Sequence, residues 1–151
     1  MTLDDSPIFL DTNILVYANV TSAPLHPQAL ETLQQLQTSH AEIWISRQIL
    51  REFIATLTRP QLFLISQPMH LIAERIHYFE HTFSIAEDNS QVTQTLLQIL
   101  QDTPSGGKQI HDANIVATML TVGVSRLLSH NVKDFARFSH LITVVPLADQ
   151  P

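Results

Sequence analysis

Four acids and one amide stand at positions where a chain can do chemistry. Asp11 directly follows the apolar triplet Ile8-Phe9-Leu10, and Glu52 falls in the second turn of the helical pattern after Ile43-Trp44-Ile45. Asp112 lies in the first turn of a long apolar helical stretch, and Asn131 and Asp134 come just after Arg126-Leu127-Leu128-Ser129. Carboxylates are hard oxygen ligands of the kind Mg2+ or Mn2+ prefers. Crowded together they repel one another unless a cation joins them. With ions bound, such a cluster lowers the pKa of a water and stabilises charge on a phosphate during in-line displacement. Water would then be the nucleophile, and no serine or cysteine is required.

Each residue also has a plainer reading. Asp11 suits the N-cap of the segment after it, and Asp134 suits the cap of a short helix. Glu52 could be a solvated charge, although it adjoins Phe53 on the shoulder of an apolar stripe. Asp112 is favoured near a helix start by the macrodipole alone. Asn13 could be a turn residue or could orient Asp11. The weight lies in their joint placement.

The elements that must position them alternate. Strand candidates are 8–10, 43–45, 82–85, 126–129 and 141–145, read from short apolar runs. Between them lie an apolar segment from Ile14 to Ala18 and helical patterns opened by Pro27, capped by Ser46 and ending before Pro60, and opened by Pro68. Further patterns run over 92–100, over 110–122 closed by Gly123, and over 132–138. Such alternation predicts an α/β fold with a mainly parallel sheet and helices on both faces. Strand C-termini and the helices leaving them then share one edge, where ligands bind. A helix start that precedes a strand should face the opposite edge, so Asp112 requires the Pro104-Ser105-Gly106-Gly107 loop to carry the chain across.

At 151 residues, with 44% hydrophobic and 15% charged residues, the chain reads as one globular domain, 1–151. It has no cysteine, which excludes disulfides and thiolate metal sites. No stretch reaches the roughly 18 consecutive apolar residues of a membrane span, and the N-terminus lacks a signal-peptide pattern. The expectation is a cytoplasmic protein with no membrane partner. Its net charge of −6 runs against nucleic-acid binding, unless bound cations invert the local field.

The residues around the acids resemble those of the PIN-domain family, and within it the toxin ribonucleases of VapBC-type toxin–antitoxin pairs. The matching pieces are Asp11-Thr12-Asn13, the stretch from Ser46 to Phe53, the stretch from His111 to Ala117, and that from Leu128 to Phe135. The resemblance implies a Rossmann-like three-layer domain with strand order 3-2-1-4-5 and a Mg2+- or Mn2+-dependent endoribonuclease. It also implies a homodimer and a small antitoxin protein whose tail blocks the acidic site. By position, Asp11, Glu52 and Asp112 match the three core acids. Asp134 matches a fourth, with Asn131 standing where some relatives carry an acid. Thr12, Asn13 and Ser129 match supporting positions.

Four basic residues, Arg47, Arg51, Lys108 and Lys133, lie close in sequence to these acids and are candidates for a phosphate-binding rim; each could equally be surface charge paired with a nearby acid. His77 and His81, four apart, have a spacing compatible with zinc but no third ligand. His111 and His130 remain open. Two other functions fit the pattern less well. One is a non-catalytic binding module on the same scaffold. The other is an aspartate-based phosphotransfer domain, which the Asn at position 13 and the lack of a Gly-rich phosphate cradle oppose.

Overall fold

The computed structural model describes residues 5–147. Five strands form one sheet in the order β3-β2-β1-β4-β5, with every pairing parallel. β1 (Ile8–Leu10), β2 (Ile43–Ser46), β3 (Ser84–Ala86), β4 (Arg126–Leu128) and β5 (Thr143–Val145) alternate with α1 (Thr12–Asn19), α2 (His26–Thr38), α3 (Arg47–Leu57), α4 (Met69–Thr82), α5 (Ser90–Asp102) and α6 (Gln109–Val122). Between β4 and β5 the Val132–Phe138 segment is a 3-10 helix. β1 lies at the centre and is buried along its whole length, as expected of a strand covered by helices on both faces.

Local signals explain most boundaries. Ser46 accepts from the Ile49 N–H at 3.2 Å and caps α3. Its stripe of Ile49, Leu50, Phe53 and Leu57 is buried, so α3 packs by its amphipathic face. Gly123 takes φ +77° at the end of α6, the left-handed conformation in which glycine costs least. Three helices bury less than their patterns suggest, since Leu30 on α2, Leu71 on α4 and Leu97 on α5 are exposed. The third strand is shifted from 82–85 to Ser84–Ala86 because α4 runs on through Thr82, with the Phe83 N–H bonded to the Phe79 carbonyl at 2.9 Å. Leu141 and Ile142 precede β5 instead of joining it; both N–H groups bond to the Phe138 carbonyl.

The edge-to-face pair of Phe53 and Phe79, with ring centroids 5.0 Å apart, ties α3 to α4 inside the core. Among the described residues no helix is long and apolar enough to cross a membrane.

Candidate active site

The register of the sheet builds the site. Leu10 pairs with Leu128 across β1 and β4, so the next residues, Asp11 and Ser129, meet at the carboxyl edge. The Asp11 N–H donates to the Leu128 carbonyl at 3.0 Å, and the Ser129 N–H to that of Val145 at 3.1 Å. The buried Ser129 hydroxyl donates to Asp11 Oδ2 at 2.7 Å and accepts from the Asn131 N–H at 2.9 Å. Asp11 Oδ1 accepts from the Thr12 N–H at 2.8 Å and caps α1, so its capping role and its place in the cluster coincide. The Asn13 amide donates to Asp11 Oδ2 at 3.3 Å, while its oxygen accepts from the His130 N–H at 3.1 Å. Asn13 therefore orients Asp11 and anchors the end of β4.

Glu52 is held from two sides. Its Oε1 accepts from the Thr12 hydroxyl at 2.7 Å and its Oε2 from the Gln48 amide at 3.0 Å. Gln48 is buried and does more than this. The same amide nitrogen donates to the His111 carbonyl at 2.9 Å, and its oxygen accepts from the Asn114 amide at 2.8 Å. These bonds fasten the start of α3 to the first two turns of α6. Asp112 is thereby carried to the same edge as Asp11 and Glu52, which answers the question the sequence left open about the crossing loop. Gly107 in that loop adopts φ +59°.

Burial is the main force pushing Asp11 up to about 6; its bonds to Ser129 and Thr12 act the other way, and the charges of Glu52 and Asp134 add to the rise. Asp112 is also pushed up to about 6, by partial burial first and then by Asp11, Asp134 and Glu52, with Arg137 opposing. Exposed Asp134 thus acts electrostatically on the cluster. A cleft of about 500 Å³ is lined by Asp11, Thr12, Asn13, Glu52, Asp112 and Asn131, together with Tyr17, Arg59 and Phe63. A cation in this cleft would relieve the mutual repulsion, and oxygen donors suit Mg2+ or Mn2+. Among the described residues no three Asp, Glu or His side chains already form a closed metal cage. Asp11, Glu52 and Asp112 share the cleft, whereas Asp134 shares their field without lining it.

The basic residues sort differently from their sequence positions. Arg47 turns to Glu80 and Glu87, at 2.6 and 3.0 Å, and Arg51 lies 3.9 Å from Asp88. Lys108 and Lys133 are exposed. Arg59 and Arg137, which sequence proximity missed, are the cations that respectively line the cleft and act on Asp112. His77 sits 3.7 Å from Glu80, its i+3 neighbour.

A family model for the PIN domain matches residues 8–141. The chain belongs to the PIN-domain family. No curated protein matches it. Among solved structures, a toxin–antitoxin complex from Klebsiella pneumoniae shares 20% identity at a TM-score of 0.64, covering 95% of this chain and 99% of that one. VapBC2 from Rickettsia felis, bound to a DNA fragment from its promoter, shares 18% at 0.64, covering 93% and 98%. VapC20 from Mycobacterium tuberculosis, described as a toxin that cleaves the sarcin–ricin loop, shares 17% at 0.59, covering 80% and 86%. At these identities the likeness is one of fold, and the parallel PIN sheet described above is that fold.

Proposed function

We propose that this PIN domain is a divalent-metal-dependent endoribonuclease serving as the toxin of a VapBC-type pair. The observation that carries the reading is the convergence of Asp11, Glu52 and Asp112 on one cleft, with Asp134 acting on them and two of the acids raised to about 6. Asp11, Glu52, Asp112 and Asp134 would hold Mg2+ or Mn2+. When bound, the ion would activate a water and stabilise charge on the scissile phosphate. Ser129 and Asn13 fix the Asp11 carboxylate, Thr12 and Gln48 fix Glu52, and Gln48 also holds the backbone beside Asp112. Asn131 lines the mouth of the same cleft.

The partner assignments extend this reading. The segment between α3 and α4 and the start of α4 leave Leu62, Ile65, Met69 and Leu71 exposed, an apolar surface suited to a small antitoxin protein. A homodimer and a cytoplasmic site of action belong to the same proposal.

Purified protein, separated from any antitoxin, should cut single-stranded RNA with Mg2+ or Mn2+ and not with chelator. Asp11→Asn and Asp112→Asn should remove most of that cleavage while retaining the fold. Calorimetric metal binding without cleavage of any RNA would instead assign a non-catalytic module. Equal cleavage by wild type and both variants, once contaminating nuclease is excluded, defeats the proposal.

A further inference from the structure

The cleft has a second character. Besides its acids it is lined by Tyr17 and Phe63, whose rings meet edge to face at 6.5 Å, and by Arg59. His130 meets Tyr17 from another side, with centroids 5.8 Å apart. Phe63 sits on the connection between α3 and α4, yet this connection is built. Ser22 donates its hydroxyl to the Phe63 carbonyl. Gln61 and Leu64 exchange backbone bonds at 2.7 and 3.3 Å, and the Gln67 N–H bonds to the Leu57 carbonyl at 2.8 Å. The backbone that carries the ring is thus fixed, and the ring itself is partly buried. Tyr17 is raised by its own burial and by the charge of Asp11, which places the aromatic group within the field of the acids.

An acidic cleft in a chain of net charge −6 repels a phosphate backbone wherever no cation offsets it. Contacts to the uncharged parts of RNA escape that repulsion. A nucleobase is uncharged and flat, and bases of unpaired RNA stack on aromatic side chains and arginine planes. Arg59 makes no ion pair among the described residues, unlike Arg47 and Arg51, so it can meet an incoming phosphate or base. We infer that Tyr17, Phe63 and Arg59 form a nucleobase subsite that takes one unstacked base of single-stranded RNA beside the carboxylates. A duplex keeps its base faces stacked and cannot fill it. The inference rests on the nuclease reading and deepens it by naming the part of the RNA that the cleft takes beside its acids.

The test uses Asp11→Asn as an uncleaving background and a short oligoribonucleotide carrying 2-aminopurine at successive positions. Binding is followed by anisotropy and by the fluorescence of the probe. One position should change in fluorescence on binding. Phe63→Ala should weaken binding about 5- to 100-fold. Phe63→Tyr should restore it, and Phe63→Leu, which keeps apolar packing, should not. An abasic residue at the responding position, or the same RNA in a duplex, should bind as poorly as Phe63→Ala does to the intact strand. Equal affinity for Phe63→Leu and the parent, indifference to the abasic residue, or no binding at all overturns the subsite. Cleavage of the same RNA by the chain with Asp11 intact is scored separately. Cleavage insensitive to Phe63 keeps the nuclease and removes the subsite, whereas base-dependent binding without cleavage does the reverse.

Discussion

Replacing Asp11 with asparagine should make the metal-free protein more stable while it removes cleavage. Asp11 is only 6% exposed and its pKa is pushed from an ordinary 3.8 to about 6. At about 1.4 kcal/mol per pH unit, ionising it in the fold at pH 7.5 costs about 3 kcal/mol. The folded value exceeds the unfolded one, so the folded chain binds the proton more tightly. Stability from this group is complete below about 3.8 and is lost as pH rises through about 6. Asparagine has no charge to bury, but it exchanges one acceptor oxygen for a donor between Thr12, Asn13 and Ser129. That loss costs about 1 kcal/mol. The net gain is about 1–2 kcal/mol at pH 7.5, or a rise in Tm of roughly 2–8 °C for a chain of this size. At pH 5 the cost relieved is about half as large, and the two proteins should melt nearly together. Thermal melts of both proteins in chelator at the two pH values measure this. A lower Tm for Asp11→Asn at pH 7.5, or a difference that ignores pH, would refute the reasoning.

Three other outcomes follow from the same geometry. Adding Mg2+ or Mn2+ should raise the Tm of the wild type in proportion to the logarithm of metal concentration, and much less that of Asp112→Asn; equal shifts would place the metal elsewhere. Gln48→Leu leaves the Asn114 amide and the His111 carbonyl without their partner, so it should cost about 1–3 kcal/mol in a denaturant melt and lower cleavage further than that loss alone predicts. Arg47→Ala breaks exposed pairs with Glu80 and Glu87, so it should change stability by no more than about 1 kcal/mol and leave the salt dependence of RNA binding unaltered, whereas Arg59→Ala should flatten that dependence.

The parts of this protein that local chemistry dictates are visible in its residues. Ser46 caps α3 and Gly123 closes α6 where their types require, and the apolar triplet before Asp11 is the central strand. The strand order followed from the resemblance and from nothing in the spacing. The edge reached by Asp112 was hidden because it depends on Gln48 bonding to His111 and Asn114, 63 and 66 residues away. Arg47 misled for a similar reason, since its acids lie 33 and 40 residues further on. Tyr17, Arg59 and Phe63 gave no sign at all. They belong to a helix and a connection whose shared cleft is made only by packing, and no periodicity marks a residue that faces another element across open space.

The central position of β1 has a consequence for how the protein is made. The acids sit at positions 11, 52, 112 and 134, and the Ser129 hydroxyl that steadies the first comes from the residue just after β4. A growing polypeptide emerges at about 5–20 residues per second, so Asp11 waits several seconds or more for its neighbours to exist. On the proposed function, a product of interrupted translation that stops before Asp134 lacks part of the acid set, and a nascent chain is harmless to the ribosome and message producing it until that residue has emerged. The site is complete only once β4 lies beside β1 and Asp134 has followed it.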